Sequence, residues 1–220
     1  MPVPKTVPTP TDVGPEPRLR ADARRNLDRI LAAAREVFAE QGIDAPMTEV
    51  ARRAGVGHGT LYRRFPTREQ LMLTMLEQRL EELVDAAEAA EAEEDAWTAL
   101  VGVIERLGEM HTADRSVVES IECRAVHATP RLMALKVRLL DALGRLLGRA
   151  QQAGQARPDL EPSDLPHLIA AATCTIASGP ESPDLWRRYL AVIVDGMRAP
   201  GVSPLPVGAP AGGVGAPCPD

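Results

Sequence analysis

A glycine- and arginine-rich stretch, AGVGHGTLYRRFPTR over residues 54–68, carries the residue types best suited to binding phosphate. Three glycines occupy alternate positions from Gly55 to Gly59, and three arginines follow between Arg63 and Arg68. Backbone N–H groups at a glycine-rich turn and at the start of the following helix attract anions, and guanidinium groups bind phosphate through paired hydrogen bonds. Enzymes that bind nucleotides and proteins that bind nucleic-acid backbones both use this chemistry.

The flanking sequence argues against a nucleotide-binding loop. A dinucleotide-binding fingerprint has the spacing G-x-G-x-x-G between a strand and a helix, whereas the spacing here is G-x-G-x-G after residues of helical periodicity. No Gly-Lys-Ser/Thr follows, as a P-loop requires. We therefore interpret the stretch as part of a helix-turn-helix, whose second helix enters the major groove of DNA. An ordinary helical hairpin with clustered surface charge is the alternative that spacing alone leaves open.

Two short helices are predicted on either side of the glycines. The first covers residues 46–54, with Pro46 at its first position and Gly55 in the left-handed conformation that ends it. The second follows a Gly-His-Gly turn, covers residues 60–65 and ends at Pro66. Their lengths and the tight turn between them are typical of a helix-turn-helix.

Longer helices are predicted before and after this pair. Apolar residues recur with helical spacing over residues 27–38, with Asp22 as the N-cap and Gly42 as the C-terminal stop. Thr67 and Gln70 have the spacing of a capping box at the start of a fourth helix.

The composition favours an all-α fold. Only 3% of the 220 residues are aromatic, and the prevalent Leu, Ala, Glu and Arg favour helix over strand. Five further amphipathic segments are predicted at about 95–111, 115–128, 130–153, 162–178 and 183–198. We predict an N-terminal three-helix helix-turn-helix DNA-binding domain followed by a larger helical domain.

The domain boundaries follow from shifts in composition. Both ends are rich in Pro without periodicity, and the acidic run AAEAAEAEED at 86–95 separates two helical halves. The predicted organisation is a disordered tail over 1–19, a DNA-binding domain over 20–66, a connecting helix over 67–94, a second helical domain over 95–199, and a disordered tail over 200–220.

The net charge of −6 conceals an asymmetry along the chain. Residues 1–70 contain 12 Lys and Arg against 9 Asp and Glu, whereas residues 71–220 contain 13 against 22. The window from Val50 to Arg68 holds five arginines and no acid. A basic N-terminal part suits a nucleic-acid partner, although such clusters are often only solvated surface.

Other classes of protein are disfavoured. The three cysteines, Cys123, Cys174 and Cys218, have neither disulfide-framework nor zinc-site spacing. No signal-peptide core and no run of eighteen apolar residues occurs. We predict a cytoplasmic protein without membrane association, cofactor or metal. An enzyme is a remote alternative, because the sequence offers no nucleophile with a base, no carboxylate pair and no cofactor loop.

The stretch TEVARRAGVGHGTLYRRFPTREQL over residues 48–71 resembles the signature of the TetR/AcrR (tetracycline-repressor) family of transcriptional regulators. That signature is close to I-A-x-x-A-G-V-S-x-G-T-L-Y-x-H-F-x-[ST]-[KR]-E-x-L. Two positions depart from it, because Gly57 replaces the serine that commonly caps the reading helix and Arg64 replaces the usual histidine. The resemblance implies a dimeric repressor that binds a palindromic operator in double-stranded DNA and is released by a small molecule. It also implies that the larger helical domain over 95–199 is a regulatory domain for ligand binding and dimerisation.

The resemblance also implies roles for individual residues. Thr60 and Tyr62 correspond to phosphate and groove contacts, and Arg64 and Arg68 to backbone clamps. We favour Arg63 for direct readout, because a guanidinium can address O6 and N7 of guanine together; another phosphate contact is its alternative role. The predicted DNA-binding residues are Gly57, His58, Gly59, Thr60, Tyr62, Arg63, Arg64 and Arg68.

A ligand pocket is expected in the C-terminal half, where this family senses small molecules. Candidates combine soft apolar side chains with sparse polar ones: Trp97, Met110, His111, Ile121, Glu122, Cys123, His127, Met133 and Cys174. The acidic surroundings argue against an anionic ligand, so a mostly apolar effector is predicted. A DNA-binding dimer that senses no small molecule is the alternative.

The last two predicted helices resemble the dimerising pair of the family. They combine small residues with large apolar ones, and the candidates for a homodimer interface are Leu168, Ala171, Ala172, Thr175, Leu185, Tyr189, Val192 and Ile193. Packing within one chain is the alternative for the same residues.

Overall fold

All regular elements in the described part of the chain are helices. The computed structural model describes residues 16–113, 129–174, 184–200 and 203–209, and within these ranges the only pairing of extended backbone is a single bridge between Ala156 and Arg198. The helices are α1 (Glu16–Gln41), α2 (Met47–Ala54), α3 (His58–Arg64), α4 (Arg68–Ala90), α5 (Ala96–Ala113), α6 (Pro130–Gln152), α7 (Asp164–Cys174) and α8 (Leu185–Gly196). None of these described helices is both long and apolar enough to cross a bilayer. The all-α prediction is confirmed.

The N-terminal helices enclose a core of their own. Ile30 of α1, Val50 of α2 and Leu61 of α3 are fully buried, and Phe65 closes the core behind α3. The first turns of α4 complete it through Leu71, which is also fully buried. Three helices and the start of a fourth are therefore held together by one apolar cluster.

A second and larger core lies among the remaining helices. Leu80 of α4, Leu100 of α5, Leu143 of α6, Leu165 of α7 and Leu190 of α8 are all buried in it. Helix α4 therefore contributes to both cores, the first through its N-terminal turns and the second through the rest of its length. Helix α4 is therefore the element that the two cores share.

Local signals set most helix ends as predicted. Gly42 and Gly55 follow α1 and α2 with φ angles of 82° and 65°, the left-handed region that glycine adopts without steric cost. The Thr67 hydroxyl accepts a hydrogen bond from the backbone N–H of Gln70 at 3.3 Å and so caps α4.

Three helix starts differ from the prediction. Helix α1 begins at Glu16, so Asp22 lies inside it instead of capping it, and residues 16–19 are not part of a tail. Pro46 precedes α2 as its N-cap. Helix α3 begins at His58, so the second half of the predicted Gly-His-Gly turn is helical.

The segment after α8 is attached to the loop between α6 and α7, although a disordered tail is predicted from residue 200. The backbone N–H of Arg157 donates to the carbonyl of Met197 at 2.9 Å, and its guanidinium donates to the carbonyl of Ser203 at 2.6 Å. The backbone N–H of Leu205 donates to the Asp159 carboxylate at 3.1 Å. Within the range of the predicted tail, Arg157 and Asp159 therefore hold the described residues 203–209 through Ser203 and Leu205.

Candidate nucleic-acid interface

The turn between α2 and α3 is fixed by backbone hydrogen bonds and by one apolar side chain. The N–H of Gly55 donates to the carbonyl of Arg52 at 3.2 Å, and that of Val56 donates to the carbonyl of Ala51 at 3.0 Å. The Val56 side chain packs against the N-terminal core. Gly57 is the N-cap residue of α3 and makes no side-chain hydrogen bond to the helix, because it lacks the hydroxyl group that a serine would provide.

Helix α3 has one buried face and one exposed face. Leu61 is completely buried, whereas His58, Arg63 and Arg64 are exposed. Tyr62 is 39% exposed, and its ring lies 4.5 Å from that of His58, with the two planes tilted by 45°. The outer face of α3 therefore presents two rings and two guanidinium groups.

The arginines of α2 are engaged by carboxylates of the protein. Arg52 donates to Glu49 at 2.9 and 2.5 Å, and Arg53 donates to both carboxylate oxygens of Glu40 on α1 at 2.7 Å. The hydrogen bond that Arg53 donates lowers the pKa of Glu40, and the hydrogen bond that Arg52 donates to the Glu49 carboxylate raises the pKa of Arg52. These two cations are therefore neutralised locally.

Arg68 is engaged at the start of α4. Its guanidinium donates to the Asp44 carboxylate at 3.2 Å and to the carbonyl oxygens of Asp44 and Ala45 at 3.1 and 3.0 Å. These contacts fasten α4 to the loop between α1 and α2. The predicted backbone clamp is thus occupied by internal acceptors in this structure.

Arg63 and Arg64 differ from these three arginines. Within the described ranges neither forms an ion pair, and the Arg64 guanidinium makes only a distant cation–π contact, 5.9 Å from the centroid of the Phe65 ring. The two unpaired arginines of the acid-free window are therefore adjacent on α3, beside Tyr62.

A cleft opens in the C-terminal half between α4, α5 and α6. Its described lining is Leu76, Leu80, Leu107, Met110, His111, Lys136, Leu139, Leu140, Leu143 and Pro166. Met110 and His111 were predicted pocket residues, whereas the leucines and Lys136 were not. The spacing of the leucines predicts that they are core residues. The scarcity of lysine is the only signal in the sequence that could have pointed to Lys136.

The other predicted pocket residues do not line this cleft in the described structure. Trp97 is buried in the second core, with the Arg198 guanidinium 4.6 Å from its ring centroid, and Met133 is 42% exposed on α6. Ile121, Glu122, Cys123 and His127 lie outside the described residues, as does the side chain of Cys174.

The predicted dimer residues separate into two groups. Leu185, Tyr189 and Val192 form an exposed stripe along α8, and Ala171 on α7 is exposed as well. Leu168 and Ile193 are partly buried and pack against the second core. Ala172 is only 1% exposed, and its methyl group packs in the second core of one chain. Thr175 lies outside the described residues.

Comparison with known proteins relates both halves to transcriptional regulators. Residues 30–75 match the family described as bacterial regulatory proteins, tetR family, and residues 95–199 match the C-terminal domain of SbtR-like transcriptional regulators.

Solved structures show the same similarity over most of the chain. A TetR regulatory protein from Mycobacterium vanbaalenii is 34% identical, with a TM-score of 0.64, over 82% of this chain and 99% of that one. A TetR regulator from Streptomyces coelicolor is 32% identical, with a TM-score of 0.63, over 78% and 98%. LfrR from Mycobacterium smegmatis, solved with proflavine, shares the fold at 22% identity, with a TM-score of 0.59, over 80% and 98%.

Proposed function

Because the chain belongs to the TetR family of transcriptional regulators, we propose that it is a cytoplasmic, homodimeric transcriptional repressor. In this proposal it binds a palindromic operator through α3 and leaves it when a small, mostly apolar molecule binds in the C-terminal domain. The family consists of DNA-binding regulators with a ligand-binding C-terminal domain, not of enzymes.

The contrast among the arginines carries this proposal. Of the five in the acid-free window, Arg52, Arg53 and Arg68 bind carboxylates of the protein, whereas Arg63 and Arg64 extend from α3 without such a partner among the described residues. An unpaired guanidinium gives up no internal ion pair when it binds DNA. We assign Arg63 to base readout and Arg64 to a phosphate of the backbone.

The neighbouring residues on α3 extend the same surface. We propose that Thr60 and Tyr62 contact phosphates and that Gly57, His58 and Gly59 bring the start of the helix close to the DNA. The packing of the Tyr62 ring against His58 supports this arrangement, because it holds the tyrosine hydroxyl at the outer face. We assign Arg68 a positioning role, because its hydrogen bonds to Asp44 and Ala45 hold the interface in place. We do not assign it a direct contact to phosphate.

The exposed stripe on α8 supports a homodimer. Leu185, Tyr189 and Val192 are 37%, 42% and 68% exposed and follow each other at helical spacing. A contiguous apolar stripe on a charged protein is typical of an interface. A two-fold pairing through α8 presents two copies of α3, which two half-sites about one helical turn of DNA apart, or a multiple of it, require.

Helix α4 provides the connection between effector and DNA. It forms one wall of the cleft through Leu76 and Leu80, and its first turns belong to the core that holds α3. We propose that the effector binds better when α4 lies farther from α6, a position in which the two copies of α3 no longer match the half-sites. Only such a difference in affinity between two states lets a ligand shift the equilibrium.

Ion pairs of three α6 arginines hold α4 in the position relative to α6 that the effector must change. They join α6 to α4 or its C-cap: Arg131 to Glu81 at 2.8 Å, Arg138 to Glu88 at 2.9 Å and Arg145 to Glu91 at 2.7 Å. The six side chains are between 32% and 60% exposed. Each pair therefore contributes little to stability on its own, and a ligand that binds with modest affinity can break all three.

A selection experiment tests the proposed function. The purified full-length protein is incubated with randomised DNA duplexes at moderate salt, and bound duplexes are amplified and sequenced. We expect enrichment of a palindrome with two half-sites about one helical turn, or a multiple of it, apart. Enrichment of no sequence, or of a single half-site by a monomer, would contradict the proposal.

A further inference from the structure

We propose that the effector is an amphipathic organic acid whose carboxylate binds Lys136 and His111 and whose apolar body lies between α4 and α6. The inference depends on the proposed function, because it concerns the cleft in which the effector is proposed to bind.

The chemistry of the cleft wall is the first argument. Apart from His111 and Lys136, the described lining consists of leucines, one methionine and one proline. Both polar side chains donate hydrogen bonds, and that of Lys136 carries a positive charge. No carboxylate lies in the described lining. A cleft with apolar walls and one basic corner selects a molecule with an apolar body and one anionic group.

The position of Lys136 is the second argument. It is one of two lysines in the chain and the only one in the described residues. The arginines of the same helix that face α4, namely Arg131, Arg138 and Arg145, recur every seven residues and bind glutamates. Lys136 instead lies with Leu139 and Leu143 on the cleft side, half-buried, and no described carboxylate forms an ion pair with it.

The acidic surroundings do not oppose an anion as strongly as the sequence suggests. Glu77 and Glu81 of α4 both lie within ion-pair distance of Arg131, and Glu109 of α5 binds Arg187. Each of these carboxylates is therefore engaged by an arginine before a ligand enters, although Arg131 is shared by two of them and Arg187 also binds Asp184, so their negative charge is reduced and not cancelled. The expectation that the effector is not anionic thus fails to account for pairing between distant segments.

The energetics favour a carboxylate over a neutral head group. Water is partly excluded from a half-buried ammonium beside leucines, so a charge-assisted hydrogen bond is stronger there than at an open surface. A neutral ester leaves the ammonium without this partner. The apolar body adds roughly fourfold in affinity for each methylene group that is removed from water.

The test compares ligands that differ only in the head group. Straight-chain carboxylates from hexanoate to dodecanoate, with their methyl esters, alcohols and amines, are titrated into the full-length protein by calorimetry. Wild type is expected to bind the best carboxylate about tenfold or more tightly than its ester. Lys136→Met is expected to abolish this preference and leave ester affinity unchanged, whereas Lys136→Arg keeps it.

Arg106→Met is the matched control, because it removes one positive charge from an exposed position on α5, the helix that carries His111, outside the described lining of the cleft. It is expected to retain the preference for the acid. Equal affinity of wild type for acid and ester across the series, tighter binding of amines, or equal loss of both affinities in Lys136→Met would overturn the inference.

Release of operator DNA is measured in parallel, so that this inference and the proposed function fail separately. Release by the neutral alcohols as readily as by the acids would refute the head-group assignment and leave the repressor intact. A Lys136-dependent preference for acids without any change in operator affinity would retain the binding site and refute the proposed coupling.

Discussion

Gly108 of α5 lies against the indole ring of Trp186 on α8. A Cβ atom at Gly108 would lie 3.1 Å from both Cε3 and Cη2 of that ring, and closer still to Cζ3. Trp186 is 2% exposed, so the ring cannot move into solvent without leaving the core. The next residue, Arg187, donates to Glu109 at 2.8 Å. Two consecutive residue pairs therefore attach α8, with its exposed apolar stripe, to α5.

Gly108→Ala is expected to destabilise the protein. The added methyl group forces the Trp186 ring to shift, and such overpacking costs about 1–3 kcal/mol, partly offset by about 1 kcal/mol of better helix propensity. Urea denaturation measures the change in the free energy of unfolding. Gly102→Ala on the same helix is the control, because no atom lies within 4 Å of its added carbon; it is expected to stabilise. Equal changes in the free energy of unfolding for the two substitutions would show that the Trp186 ring accommodates the added methyl group without cost.

Arg63→Ala is expected to relax sequence preference at one base position in each half-site. Loss of a bidentate contact to guanine removes about 1–3 kcal/mol of discrimination against other bases. Arg64→Ala is the matched comparison and is expected to weaken all duplexes alike, lowering the salt dependence of log K by about one per subunit. Competition binding with single-base operator variants at several salt concentrations distinguishes the two. A uniform loss with Arg63→Ala would assign it to phosphate instead.

Arg68→Ala is expected to reduce stability before it reduces DNA binding. The guanidinium is hydrogen-bonded to the carbonyls of Asp44 and Ala45, and losing such bonds to a charged group costs about 1–3 kcal/mol. Arg64→Ala, which removes an exposed side chain without an ion pair in the described structure, is expected to change the free energy of unfolding by less than about 0.5 kcal/mol. Unchanged stability with loss of affinity for every duplex would restore Arg68 as a phosphate clamp.

Val192→Glu is expected to convert a dimer into folded monomers. Val192 is 68% exposed in one chain, so the carboxylate is harmless there, but at a two-fold interface it is buried twice at about 3–5 kcal/mol each. Light scattering gives the mass, and denaturation shows that the monomer remains folded. Ala172→Glu provides the contrast, because its site is in the core of one chain and the substitution should unfold the domain. A wild type that is monomeric at micromolar concentration contradicts the prediction.

Local signals predicted the helix-turn-helix well. Gly42 and Gly55 occupy left-handed positions, and Thr67 caps α4, because these preferences arise within a few residues of the chain. Helix α1 was predicted to start too late because Pro17 resembles the proline-rich segment before it. Proline is compatible with the first turn of a helix, where its missing N–H has no partner to lose.

Contacts between distant segments explain what the sequence did not predict. The partners of Arg53 and Arg68 are Glu40 and Asp44, 13 and 24 residues away. The sequence of the window therefore did not show which of its five arginines bind carboxylates of the protein. Small residues suit the seam between two helices whether these belong to one chain or two, so the sequence could not show that Ala172 packs within the core of one chain.

The division of α4 between two cores determines where chimeric regulators can be joined. Leu71, Met72 and Met75 pack with the N-terminal helices, whereas Leu76 and Leu80 pack with the C-terminal ones. A DNA-binding domain exchanged at residue 66 would place a foreign core against the first turns of α4, and one exchanged at residue 95 would bring a foreign wall to the effector cleft. A crossover immediately after Met75 keeps the N-terminal core whole and transfers only Leu73 of the C-terminal core, so new operator specificity can be grafted onto the sensor if the donor also has leucine at that position.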